Sequence, residues 1–324
     1  MLRRLVLALG LLLAAPGTAG ARAWSYLNHP TDQLGVPGVL AGVEVTPEGG
    51  LFTGWGETTF RFGPALTSWR QPQRVLAEGR WPVLTAVRRR DGISYELTVF
   101  CDMVNGHAVA FARVVMRGVG QDAHEARFAA GVRDTGGALK ADGVTRRFRF
   151  PRPAVPGAPG LYTQPGTAFS PEWRYAFSGD TVTRDGNVLL TVPPGSARQL
   201  RPDGNGPVTP STVFGLAGVH VRLAPGAVAT ADFRMPVEPL PATDPAVAEI
   251  QAASFDAHRR SVIGAWRARV AGAMTIDVPE AKVRNAYTAS LVNVLVARVK
   301  SPGGEWIQAV NKLRYQASGS ATPR

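Results

Sequence analysis

The sequence predicts a mainly β protein: a large two-sheet antiparallel β-sandwich followed by one or two linker α-helices. From residue 35 to residue 236 apolar and polar side chains alternate with a period of two, in short runs separated by turns rich in glycine and proline. After a proline-rich stretch at residues 237–243, the apolar side chains recur at helical spacing. The many short strands favour two packed sheets of larger size than a small immunoglobulin-like sandwich.

The first 23 residues have the three parts of a signal peptide. Arg3 and Arg4 form a basic start, residues 5–16 are apolar, and residues 21–23 (Ala-Arg-Ala) form a small-x-small cleavage motif. The apolar run is shorter than the about 20 residues that cross a bilayer comfortably. We therefore expect an exported protein, periplasmic or extracellular, with no membrane anchor after cleavage.

Three dipeptides predict β-hairpins. Asp91-Gly92, Asn105-Gly106 and Asp185-Gly186 each lie between alternating apolar runs, which is a strong hairpin signal. The first two connect three consecutive strands into an antiparallel meander, and the last two strands are expected to pair around a turn at 224–226. The predicted strands are 38–45, 51–62, 81–87, 93–100, 107–116, 125–133, 144–150, 173–177, 181–184, 187–192, 213–223 and 227–237.

Two helices are predicted after the linker. Asp244 and Pro245 are typical of an N-cap and a first helical residue, and they open a helix that extends to residue 270. Pro279 opens a second helix, which extends to residue 299. A hairpin-like segment follows at 297–315. The buried face of the second helix is predicted to hold Val283, Ala286, Tyr287, Leu291, Val294 and Leu295.

The formal net charge of +12 prompts the question of nucleic-acid binding. Arginine supplies nearly all of the positive charge, since the chain has only four lysines, and this bias is typical of a GC-rich genome. The arginines are dispersed, and their densest run, residues 88–90, falls at a predicted hairpin tip. We therefore expect no nucleic-acid partner.

Two segments resemble the start of six-hairpin glycosidase-like proteins. They are residues 278–287 (Val-Pro-Glu-Ala-Lys-Val-Arg-Asn-Ala-Tyr) and 306–315 (Trp-Ile-Gln-Ala-Val-Asn-Lys-Leu-Arg-Tyr). The resemblance implies a β-supersandwich at 24–237, then a helical linker and the start of an (α/α)6 toroid at 238–315. Residues 316–324 lack periodicity and are expected to form a disordered tail.

In such proteins the catalytic carboxylates lie in the toroid. The resemblance therefore implies a noncatalytic N-terminal region of an exported glycoside-hydrolase-like protein, with a role in carbohydrate metabolism. We expect the chain to be truncated before the catalytic carboxylates, and a frameshift is our hypothesis for the tail. The helices would then carry apolar faces without a partner, such as Val283 with Leu295, and these faces are expected to self-associate.

Candidate chemistry outside the resemblance is sparse. Carboxylates such as Asp102 form no spaced pair of the kind that glycoside hydrolysis needs, and turn-forming or capping roles are expected for them. The five histidines lack metal-ligand spacing, so neither metal nor cofactor is predicted. Cys101, the one cysteine, alternates with apolar residues and is interpreted as a buried, inert side chain.

Carbohydrate is the expected ligand, and four residues of the resemblance region are the predicted contacts: Trp306, Asn311, Lys312 and Tyr315. Strand alternation puts Asn311 and Tyr315 on the opposite face from Trp306 and Lys312, so one ligand cannot meet all four. The alternative is a free-standing secreted carbohydrate-binding module, which requires an exposed aromatic platform and a self-contained core.

Overall fold

The computed structural model describes residues 32–39, 42–45, 50–53, 57–68, 74–133, 175–200, 213–296, 298–300 and 306–308. Within them the strands form two antiparallel sheets of eight strands each and a separate two-stranded hairpin. The predicted fold class, a large two-sheet β-sandwich followed by helices, is confirmed. The predicted signal peptide, the strand at 144–150 and the tail at 316–324 lie outside the described residues.

The first sheet, sheet A, has the strand order β1-β2-β3-β4-β10-β15-β14, and β5 pairs with β4. Strands are numbered here in chain order. Those of sheet A are β1 (Asp32–Gly35), β2 (Gly42–Val45), β3 (Leu51–Phe52), β4 (Glu57–Phe62), β5 (Thr67–Ser68), β10 (His124–Arg133), β14 (Ala197–Leu200) and β15 (Val213–Leu223).

The second sheet, sheet B, has the strand order β11-β12-β13-β16-β9-β8-β7-β6. It contains the long meander that the dipeptides predict. Its strands are β6 (Arg74–Ala77), β7 (Trp81–Arg90), β8 (Ile93–Val104), β9 (His107–Gly118), β11 (Tyr175–Ser178), β12 (Thr181–Arg184), β13 (Asn187–Thr191) and β16 (Val228–Pro236).

The predicted two-residue hairpin turns are confirmed by their backbone. Both residues have positive φ in Asp91-Gly92 (49° and 71°), Asn105-Gly106 (43° and 81°) and Asp185-Gly186 (50° and 77°). Positive φ at both central positions defines the type I′ turn, whose twist matches that of the flanking strands. From these turns β7 pairs with β8 as far as Leu84 opposite Val99, and β8 pairs with β9 as far as Ile93 opposite Gly118.

The core between the sheets is built from alternate side chains of both. Phe128 of sheet A lies with its ring centroid 5.7 Å from that of Phe60 and 5.8 Å from that of Phe233, which comes from sheet B. Cys101 is buried in the same cluster, which confirms its interpretation as a core residue. Burial raises the pKa of the Cys101 thiol, so that the reactive thiolate is disfavoured.

Two N-terminal strand predictions were wrong in their extent. Residues 38–45 contain only β2, because a turn with Gly38 at φ 77° precedes it, and β1 lies before that turn. Residues 51–62 contain β3 and β4, which pair with each other in antiparallel fashion instead of forming one strand.

The predicted pairing of 213–223 with 227–237 was also wrong. β15 lies in sheet A beside β10, whereas β16 lies in sheet B beside β9, so the turn at 224–226 connects the two sheets. Gly118 at the end of β9 holds this corner: its N–H donates to Ala227 O (3.0 Å), and its carbonyl accepts from the N–H of Gly226 (2.9 Å). A side chain at position 118 would collide with Ala224 O, so glycine is required there.

Three helices follow the sandwich: α1 (Ala246–Ala252), α2 (Phe255–Val270) and α3 (Ala281–Val296). The Asp244 carboxylate accepts from the N–H of Ala246 at 2.9 Å, in agreement with its predicted capping role. The single helix predicted over 244–270 is interrupted, because Ser254 has extended backbone and its hydroxyl caps α2 by accepting from the Ala257 N–H.

The helices pack on the outer face of sheet B and create a second core. Its members include large side chains of β7, β8 and β9 as well as Trp266 and Val262 of α2. The predicted buried face of α3 was correct only in part: Leu295 packs partly buried against the second core, but Val283 and Val294 are exposed, and the buried residues are Val292 and Val296. Sequence periodicity alone could not choose between these faces, since α3 has apolar side chains on both.

A short hairpin is confirmed beyond α3. Strand β17 (Arg298–Lys300) pairs in antiparallel fashion with β18 (Trp306–Gln308). Among the described helices, none combines the length and the apolar character that a bilayer span requires.

Candidate functional site at the sheet–helix interface

The main cluster of charged side chains outside the cores lies where α2 begins on the outer face of sheet B. The register places Arg113 of β9 opposite Asp232 of β16. Arg113 donates from Nε to Asp232 Oδ1 (2.6 Å), from Nη2 to Asp232 Oδ2 (2.9 Å) and from Nη1 to Asp256 Oδ2 (2.8 Å). One guanidinium therefore ties two strands to the first turn of α2.

Three phenylalanine rings pack beside the Arg113 guanidinium and its two carboxylates. The guanidinium carbon of Arg113 lies 4.1 Å from the centroid of the Phe255 ring, in a cation–π contact. Phe255 meets Phe100 edge-on at 4.9 Å, and Phe100 is stacked on Phe111 at 5.0 Å. The hydrogen bonds to Asp232 raise the pKa of Arg113 above that of an ordinary arginine, so its charge is permanent.

A second arginine holds the junction between α1 and α2. Arg234 of β16 donates from Nη2 to the carbonyl oxygen of Ala253 at 2.6 Å. This carbonyl follows the last turn of α1, where backbone oxygens lack helical partners. Burial lowers the pKa of Arg234, and the nearby Asp232 carboxylate opposes that shift.

Asp102 and His258 form the arrangement closest to catalytic chemistry. The Nδ1 atom of His258, on α2, lies 2.8 Å from Oδ2 of Asp102, on β8. The imidazole is stacked on Phe111, with ring centroids 4.9 Å apart. A carboxylate that orients a histidine is two thirds of a nucleophile-activating triad.

The third member of such a triad would be a nucleophilic side chain that contacts His258, and the described residues do not provide one. Cys101 is the next residue to Asp102, but strand alternation turns it into the core between the sheets. Within the described part of the chain, no serine, threonine or cysteine side chain is hydrogen-bonded to His258. The pair therefore acts as a contact between helix and sheet.

A second set of contacts joins the other end of α2 to the turn between β6 and β7. The Glu78 carboxylate accepts from Trp81 Nε1 (2.9 Å), Arg80 Nη2 (3.1 Å) and Arg267 Nη2 (3.1 Å). The hydrogen bond from Trp81, followed by that from Arg80, lowers the pKa of Glu78. Arg267 belongs to α2, so this turn anchors the helix near its C-terminus.

The helices also reach sheet A. Trp266 of α2 is almost fully buried and donates from Nε1 to the carbonyl oxygen of Gly35, at the end of β1, at 3.1 Å. A Cβ added to Gly35 would lie 3.0 Å from Val296 Cγ1 of α3. The helical layer is thus fixed to both sheets by hydrogen bonds, ion pairs and close packing.

The four predicted ligand contacts stay predictions, because none of their side chains belongs to the described part of the structure. Trp306 lies in β18, where only the backbone is described, and Asn311, Lys312 and Tyr315 lie outside the described residues. Asp102 was predicted to have a turn or capping role, but it lies inside β8 and contacts His258. Sequence offered one signal for this: Asp102 shares a strand face with Phe100 and Val104, which indicates that something covers that face.

Two further features limit what the described residues can bind. They contain no group of three or more histidine, cysteine, aspartate or glutamate side chains that could hold a metal ion. The large apolar side chains exposed among them are all aliphatic or Met274, and Trp81 and Trp266 are buried.

Neither the protein-family models nor the curated proteins contain a match to this sequence. Among solved structures, a polysaccharide lyase is similar with a TM-score of 0.29 and 11% identity, over 65% of this chain and 28% of that chain. A human-microbiome protein described as a kojibiose phosphorylase has a TM-score of 0.30 and 8% identity, over 84% and 31%. The chain spans less than a third of either carbohydrate-active neighbour, and such low TM-scores carry no conclusion about its activity.

Proposed function

We propose that this chain is a noncatalytic β-sandwich region of an exported glycoside-hydrolase-like protein, and that its helical layer positions a helical catalytic domain. The observation that carries the proposal is the use of the charged groups at the sheet–helix interface. Arg113, Asp232 and His258 are each engaged in a contact that joins a strand to another strand or to α2. Contacts of this kind stabilise the packing of α2 on sheet B.

The order of elements supports the same proposal. The segment 278–287 that resembles six-hairpin glycosidase-like proteins includes the start of α3, and the segment that begins at Trp306 includes β18. In that resemblance the sandwich is residues 24–237 and the toroid begins within 238–315. The sandwich would then shape one rim of a carbohydrate-binding cleft without supplying the carboxylates that break the bond.

A hydrolysis assay tests this function. Purified protein is incubated with a panel of α- and β-glucosides, and the release of sugar is measured against a sample without protein. We expect no release above the uncatalysed rate. Clear turnover of any glucoside would overturn the proposal.

The alternative of a free-standing carbohydrate-binding module is less well supported. Such a module needs exposed aromatic rings, and the described exposed apolar side chains are valines and Met274. Titration of the purified monomer with soluble glycans separates the two functions. Saturable glycan affinity without turnover would favour the module.

A further inference from the structure

We draw no further inference here: the strongest candidate, the pair of buried polar side chains that Arg234 and Thr191 form where β16 pairs with β13, belongs to the sheet–helix interface already described, and the Nε atom of Arg234 and the Oγ1 atom of Thr191 are both enclosed by protein.

Discussion

At the scale of single residues, Arg113 shows how much of the helical layer depends on one side chain. Its guanidinium uses three N–H groups on two carboxylates from different elements. Lysine cannot reproduce this fork, because its ammonium is a compact point charge. We expect Arg113→Lys to lower the free energy of unfolding by about 1–3 kcal/mol, measured by urea denaturation.

Arg222 provides the control for this substitution. Its side chain is 67% exposed and contacts Glu125 at 3.4 Å, so the pair is screened by water. Arg222→Lys should change the free energy of unfolding by no more than about 0.5 kcal/mol. Equal losses in the two variants would show that the Arg113 network does not hold α2 to the sheet.

Glu78 makes a pH-dependent contribution to stability. Its pKa is lowered below the ordinary 4.5 by hydrogen bonds from Trp81 and Arg80, so the folded state favours the carboxylate. The stabilisation is present above pH 4.5 and is lost as the pH falls through the lower folded-state pKa. Wild type should melt at a higher temperature than Glu78→Gln at pH 7, and this difference should shrink as the pH falls below about 4.5.

Scanning calorimetry of both proteins between pH 7 and pH 3 measures this difference. A gap in melting temperature that stays constant over the whole range would mean that the Glu78 charge does not stabilise the fold.

The residues also differ in how well sequence predicts them. Cys101 could be interpreted correctly because burial follows from local alternation. The partnership of Asp102 with His258 could not, because 156 positions separate the two residues and only the packing of α2 on β8 brings them together. Local pattern predicts the face of a strand but not the identity of a distant partner.

At the scale of elements, turn chemistry was the most reliable signal. The pairs Asp91-Gly92 and Asn105-Gly106 predict type I′ hairpins because few other residues tolerate two successive positive φ angles. The turn at 224–226 connects two sheets instead, and the bonds from Gly118 that decide this come from a distant strand. The break before α2 was missed because the apolar spacing continues across Ser254.

Substitution of Gly264 tests whether the helix propensity of α2 contributes to the stability of the protein. It lies on the exposed side of the helix, and nothing lies within 4 Å of a Cβ added there. Gly264→Ala should stabilise the protein by about 0.5–1 kcal/mol, because alanine loses less backbone entropy in a helix. Thermal unfolding monitored by circular dichroism measures the change.

Gly218 in β15 is the contrasting site for the same substitution. A Cβ there would lie 2.5 Å from the carbonyl oxygen of Phe128 on the paired strand β10. Gly218→Ala should destabilise the protein by about 1–3 kcal/mol, because β15 must move away from β10 to make room for the added methyl group. If both alanines stabilise the protein, the pairing of β10 with β15 at this register is incorrect.

At the scale of the whole molecule, the fold consists of two cores that share sheet B. One lies between the sheets, and the other lies between sheet B and the helices. Sequence periodicity predicts the first, since alternation marks strands with one buried face. The second core is indicated only by strands such as β8. This strand is buried on both faces, so a further layer must cover the face that does not meet sheet A.

The central claim is that this sandwich and its helical layer serve as architecture and do not catalyse. The most direct test compares sugar release from α- and β-glucosides by the wild type and by Asp102→Asn, which disrupts the contact between Asp102 and His258 at the sheet–helix interface. We predict that both proteins release sugar at the uncatalysed rate. Turnover by the wild type that Asp102→Asn abolishes would contradict the claim and identify His258 and Asp102 as an active site.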